Sequence, residues 1–271
     1  MQLTNSIKSI AIGSFDGIHL GHRALISKVE AVVVIERNSG YITPGYKRAL
    51  YIEQPCFFYH FEHISSLSAK AFVEKLKVDF PRLETIVVGY DFGFGYKKEG
   101  DTARLKELFS GDVVVVSEVT EQKIPVHSRT IKGYIAASNL ALVRAFLGRS
   151  FVVNGRVIAG QGLGKKELVP TINLDIYDYD LPKDGVYATR TKVGDVWLAS
   201  ISFIGIRETT DGAFAIETHI LNQDIGEIKG TIWLEFVEFI RNNKKFENLE
   251  SLKEEIFLDM ILAKKILNFK D

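Results

Sequence analysis

With 271 residues, 46% of them hydrophobic, the chain has enough apolar material for two modest domains with a core in each. Its 34 basic and 34 acidic residues cancel, which argues against a nucleic-acid binder, although phosphate ligands need only backbone N–H groups and helix ends. A lone cysteine, Cys56, excludes a disulfide framework or a cysteine-based zinc site within the chain, and no apolar run reaches the ~18 residues of a membrane helix. The first residues also lack the apolar run of a secretory leader, so the cytoplasm is the expected compartment, with no membrane partner.

In chain order, the first half alternates. The runs IKSIAIG, AVVVIE, CFFYHF, TIVVGY and DVVVVSEV read as strands, and HRALISKV, GYKRALYI, SAKAFVEKLK and TARLKELF as helices between them. Near-continuous apolar strands separated by helices predict a parallel sheet covered on both faces, a Rossmann-like α/β domain with its ligand at the carboxyl ends of the strands. Cys56 reads as a small buried hydrophobe. A further helix is expected over residues 134–148, closed by Gly148, and the domain boundary is placed there, giving domains 1–148 and 149–271.

The second half carries FVVNGRVIAG, TINLDI, GVYATRTKV, DVWLASISFIG, FAIETHIL and GTIWLEFVEFI, with glycine turns and few helices. This spacing predicts an antiparallel β-barrel. A terminal amphipathic α-helix follows, starting at Asn248 or at the Ser251/Glu254 capping box, with Leu252, Ile256, Met260 and Ala263 as its buried stripe.

The run SIAIGSFDGIHLGH reads as a strand, a tight turn and a helix start. Gly13 and Gly17 allow the turn around Phe15 and Asp16 to approach a ligand, and the helix start offers free N–H groups to phosphate. His19 and His22 are spaced to share one face of the first helical turn. There they can donate hydrogen bonds to charge growing on an α-phosphate, with no covalent intermediate. His60 and His63, on a strand-like run, are read as structural.

HxGH behind a GxFDG turn resembles the signature of the adenylyl- and cytidylyltransferase superfamily. The segment GYDFGFG is similar to the GYDFRFG of the bacterial bifunctional riboflavin kinase/FMN adenylyltransferases, which implies that Asp91 and Phe92 line the adenylyl-transfer pocket. HSRTIKG stands where that family has a motif like SSTRIR on the ATP phosphates. Ser128 keeps its place, Arg129 and Thr130 look transposed, and Lys132 takes the position of the last arginine with a point charge rather than a fork. The FDPHP-like segment after the second strand is replaced by VVVIERNSG.

From Leu147 onward, GRVIAGQGLGKKELVPTIN resembles the riboflavin kinase pattern of a glycine-rich loop followed by PTAN. The loop from Gly160 to Gly164 can curl its N–H groups around phosphates. The resemblance implies that Thr171 binds magnesium and phosphate with Asn173 beside it, and that Glu217, on the ExHLL-like strand, is catalytic. A carboxylate there would accept the proton of the riboflavin 5′-hydroxyl during attack on the γ-phosphate. His219, two residues on, reads as supporting, and the proline expected after IGxx is absent, the chain having Arg207, Glu208 and Thr209.

The resemblance implies a bifunctional enzyme of FAD biosynthesis. Its barrel would make FMN from riboflavin and ATP. Its α/β domain would adenylylate FMN to FAD, and both steps would need Mg²⁺. Three other readings stay open at this stage: a riboflavin kinase whose first domain has lost transfer, a non-catalytic flavin- or nucleotide-binding regulator, and a cytidylyltransferase. The oligomeric state is left unassigned.

Overall fold

The computed structural model describes residues 6–37, 41–159, 169–209, 211–223 and 226–268. Two compact units divide the chain, Met1–Thr130 and Ile131–Asp271.

The first unit is built on a parallel sheet. Its strands are β1 (Ser9–Gly13), β2 (Ala31–Glu36), β3 (Cys56–His60), β4 (Thr85–Gly89) and β5 (Asp112–Val116), in the order β3-β2-β1-β4-β5. The order reverses between β1 and β4, so the crevice at their carboxyl ends is the switch point where ligands of such sheets bind. Apolar side chains pack on both faces of the sheet, which is why the strands read as near-continuous apolar runs with polar residues at their ends. Ile10, Ile12, Val33, Ile86 and Val88 form one core with Phe72 and Leu76 of the helix Ala69–Asp79. Ala11, Val32, Val34 and Val87 form another with Leu25 and Ile26 of α1 (Leu20–Ile26). Cys56 is only part-buried and packs at the edge of this second core.

Two local expectations are corrected in this unit. The helix expected from GYKRALYI is a 3-10 helix over Gly45–Tyr51. Its segment is pinned just before the helix, at Ile42 and Thr43, to Asp16, and within it, at Arg48, to Glu36. His63 is not on a strand: β3 ends at His60, and His63 lies in the one-turn helix Phe61–Ile64. The hairpin of β6 (Thr120–Glu121) and β7 (Ile124–Pro125) has no counterpart among the expected strands. Gln122 and Lys123 take positive φ at its tip, without the Asn-Gly or Asp-Gly pair that advertises such turns.

The second unit contains the barrel. Helices Ser128–Ala136 and Leu140–Leu147 stand where one helix over residues 134–148 was expected. The break is chemical: Ser138 adopts φ 56°, and the Asn139 side chain accepts the Leu142 N–H at 3.2 Å to start the second helix. Gly148 ends it in the left-handed conformation, as expected. This second helix packs on β8 (Phe151–Ile158) and β13 (Thr231–Arg241).

The remaining barrel strands are β9 (Ile172–Asp175), β10 (Gly185–Val193), β11 (Val196–Ile206) and β12 (Phe214–Ile220). They close antiparallel in the order β10-β11-β12-β9-β8-β13. The terminal helix, Leu249–Ile266, is capped by Asn248, whose side chain accepts the Ser251 N–H at 2.9 Å. Its buried face carries Ala263, Met260 and Ile266, together with an acidic residue, Asp259.

Part of the barrel interior is polar. Thr189, Thr191, Ser200, Ser202 and Thr218 are all buried. Their hydroxyls close a ring: Thr189 to Ser200 at 2.8 Å, Ser200 to Thr191 at 2.8 Å, Thr191 to Thr218 at 3.1 Å, Thr218 to Ser202 at 2.9 Å and Ser202 to Thr189 at 2.8 Å. Every member has two partners in the ring, so none of the five is left unsatisfied by burial.

Candidate active sites

In the first unit the GSFDGIHLGH turn leaves the carboxyl end of β1. Gly17 has φ +89°, and a Cβ there would lie 3.1 Å from the Ile42 side chain. A Cβ on Gly21 would lie 3.1 Å from the His19 ring, so the glycine inside HLGH is what lets that ring lie against the helix. His19 is the cap of α1, and its Nδ1 accepts the His22 N–H at 3.3 Å. The two rings stack with centroids 3.5 Å apart, and Phe15 meets His22 edge-on.

Burial lowers the His19 pKa to about 3, with repulsion from His127 adding to it. Burial also holds His22 well below its ordinary value, helped by His19, Arg48 and His127. Both rings are therefore neutral near pH 7. Since Nδ1 of His19 is an acceptor, its proton sits on Nε2, the atom that can donate to a ligand oxygen.

Other expected residues of this site fall as follows. Asp16 is buried, and its Oδ1 accepts the N–H groups of Ile42 and Thr43 at 2.9 and 3.0 Å, so it holds the neighbouring loop. Ser128 donates to the Asp16 carbonyl at 2.8 Å. Asp91 is exposed beyond β4, while Phe92 is half-buried and stacked on Phe94. Gly13 ends β1 against the Phe15 ring. Lys132, in the second unit, is ion-paired with Asp180 at 3.0 Å.

Sequence reading missed two arrangements here. Arg48 and Glu36 form a buried ion pair beside the histidines, with Arg48 Nε and His22 Nδ1 both lacking a hydrogen-bond partner. Tyr90, Glu118 and His127 form a hydrogen-bonded cluster. The first could have been suspected from a charged residue ending an apolar strand. The second joins residues from separate loops and has no local signature.

In the second unit, Glu217 on β12 pairs in register with Asn173 on β9, which puts both side chains on the same face. That face lines a cavity of about 670 Å³, together with Thr171, Arg207 and His219. Arg207 donates to Glu217 Oε1 at 2.9 Å and forks onto Asp211 at 3.0 and 2.8 Å. His219 Nδ1 lies 2.7 Å from the Pro170 carbonyl, which can only accept, so His219 donates to the start of the PTIN segment and holds it. The terminal helix reaches the cavity through Asp259, which is bound by the Arg241 guanidinium at 2.7 to 3.1 Å. Gly160 and Gly164 lie outside the described residues. Arg207 had been noted only as a departure from the family pattern, and its ion pair with Glu217 is new.

Comparison with known proteins bears directly on these two sites. The family described as riboflavin kinase matches residues 147–267, and that described as FAD synthetase matches residues 2–40 and 48–130. A bifunctional riboflavin kinase/FMN adenylyltransferase of Buchnera aphidicola subsp. Schizaphis graminum is 28% identical, over 97% of this chain and 95% of its own length. The chain belongs to the bifunctional riboflavin kinase/FMN adenylyltransferase family. The Escherichia coli protein of the same description is also 28% identical, over 94% of this chain and 91% of its own. A solved structure titled as a macrolide-efflux protein from Streptococcus pneumoniae superposes with TM-score 0.84 at 23% identity, covering 96% of this chain and 95% of that one, which shows a shared fold alone. Among the described residues no helix is long and apolar enough to cross a membrane. The break in the second match, residues 41–47, contains Ile42 and Thr43, the two residues that Asp16 anchors.

Proposed function

We propose that the chain is a bifunctional enzyme of FAD biosynthesis, which phosphorylates riboflavin with ATP and adenylylates the FMN so formed. The observation that carries the kinase half is the cavity that joins Thr171, Asn173 and Glu217 on adjacent strands. In this reading Glu217 accepts the proton of the riboflavin 5′-hydroxyl as that oxygen attacks the γ-phosphorus and ADP leaves. Arg207 fixes Oε1, so Oε2 is the accepting atom.

Hard oxygen donors at Thr171 and Asn173 suit magnesium, which binds few protein ligands and completes its shell from substrate phosphates and water. Among the described residues no cluster of three acidic, histidine or cysteine side chains competes for that role. Bound there, magnesium would neutralise the β and γ oxygens of ATP. In the first unit, a phosphate oxygen of FMN attacks the α-phosphorus of a second ATP and pyrophosphate departs. His19 and His22 donate hydrogen bonds to the oxygens that gain charge. We assign residues 1–148 to transfer and 149–271 to phosphorylation, and place both activities in the cytoplasm.

Replacing the carboxylate tests the first step. Glu217→Gln is expected to lower riboflavin phosphorylation at least ~10²-fold, while riboflavin still binds by fluorescence quenching. FMN formation at the wild-type rate would remove Glu217 from this role. Incubation of the wild type with FMN, ATP and Mg²⁺ tests the second, and absence of FAD above background would leave the chain a riboflavin kinase.

A further inference from the structure

We propose that His127 is a third imidazole of the adenylyl-transfer site, which as imidazolium donates Nδ1–H to the phosphate chain of ATP while Glu118 and Tyr90 hold Nε2. This rests on the reading of the first unit as an ATP site.

The placement comes from both neighbours of His127. The Val126 carbonyl lies 3.4 Å from where a Gly21 Cβ would stand, so it packs on the glycine inside HLGH. On the other side, the Ser128 hydroxyl donates to the Asp16 carbonyl at 2.8 Å. The segment is thus fastened to the histidine turn before and after His127. The side chain of His127 is 39% exposed, whereas His19 is buried. Repulsion between His127 and both His19 and His22 reflects the same closeness.

The hydrogen bonds fix what the ring can offer. Tyr90 Oη lies 2.5 Å from Glu118 Oε1 and donates to it. That bond, then partial burial and the negative charge of Glu118, push the Tyr90 pKa up to about 12, so the phenol keeps its proton. His127 Nε2 lies 3.4 Å from Glu118 Oε1 and 3.3 Å from Tyr90 Oη. The phenolic proton points to Glu118, so both groups facing Nε2 are acceptors and Nε2 carries a proton. A second proton, on Nδ1, makes the ring a cation and gives it a donor for phosphate.

Chemistry supplies the reason for a cation here. A triphosphate brings several negative charges, and His19 and His22, held neutral by burial, give hydrogen bonds without charge. Of the other basic groups named in the first unit, Arg48 is tied to Glu36, and Arg129, two residues after His127, is exposed. The ionisable groups around His127 are Glu118 beyond β5, Tyr90 and Asp91 beyond β4, and His19 and His22 at α1. A bound polyphosphate therefore favours proton uptake at this ring.

The test compares full-length wild type with His127→Gln and His127→Lys. For FAD formation, His127→Gln is expected to lower kcat/KM for ATP by about tenfold to a hundredfold, and His127→Lys to recover most of it. Riboflavin phosphorylation by the same preparations should stay within about twofold, reporting an intact fold. Calorimetry of ATP binding in two buffers of different ionisation enthalpy should show proton uptake near pH 7.5 that is reduced in His127→Gln. Wild-type transfer by the glutamine variant, or a lysine variant no better than glutamine, overturns the proposal. Should the wild type form no FAD, the transferase reading fails instead. The calorimetry then decides alone: uptake lost in His127→Gln supports the phosphate contact, and equal uptake refutes it.

Discussion

His19 and His22 owe their behaviour to position rather than type. An imidazole in water titrates near pH 6.5, but the native rings resist protonation far below that. As pH falls below about 6.5 the unfolded chain gains protons and the native state does not, so stability is full above that value and falls as pH drops toward about 3. The slope is about 1.4 kcal/mol per pH unit for each buried ring. Urea unfolding midpoints followed from pH 7 to pH 4 should show this decline, and a His19→Asn/His22→Asn double variant should flatten it. An unchanged slope in the double variant would move the effect to other groups. The pair itself was legible in the sequence, because the spacing and flanking glycines are local. His127 and Arg207 were not. Their partners lie on other strands or loops, as with Tyr90 and Glu118, which are 28 residues apart, so only the folded chain reveals them.

At the scale of elements, the hydrophobic pattern gave the five parallel strands and the six barrel strands because each is a short apolar or alternating run. It failed where a polar side chain or a tether decided the outcome: the Ser138/Asn139 break and the tight 3-10 helix held by Asp16 and Glu36. The terminal helix shows both cases. Leu252, Ile256, Met260 and Ala263 do lie along its partly or fully buried side, yet the strongest polar tie is Asp259, buried at 5% exposure and gripped by Arg241. Burial raises the Asp259 pKa even against that cation, a sign of how dry the contact is. Asp259→Ala would leave the guanidinium with Glu255 at 3.3 Å as its remaining acidic partner. A loss of about 2 kcal/mol in a denaturant titration is expected, with riboflavin binding weakened because the pair lines the cavity. Wild-type stability in that variant would make the pair incidental.

At the scale of the molecule, compactness divides the chain at residues 130 and 131, whereas the sequence suggested Gly148 as the boundary between activities. The two statements make different demands on residues 131–148. Leu140, Val143, Phe146 and Leu147 are buried, and their helix packs on β8 and β13 of the barrel. Each such side chain contributes about 2 kcal/mol by its burial. A fragment of residues 131–271 should therefore fold and phosphorylate riboflavin, while one of residues 149–271 should melt well below it or aggregate. Equal melting temperatures would show that the barrel needs nothing before Gly148.

The hydroxyl ring inside that barrel is a polar wall that asks nothing of a ligand. Ser202 donates to Thr218, whose own hydroxyl also reaches the Ile201 carbonyl at 3.4 Å, and each of the five hydroxyls meets two others. Ser202 also lines the cavity, so that part of its wall is polar in composition and yet has its hydrogen bonds already made within the barrel, whereas the formal charges of the cavity are gathered at Glu217 and Arg207.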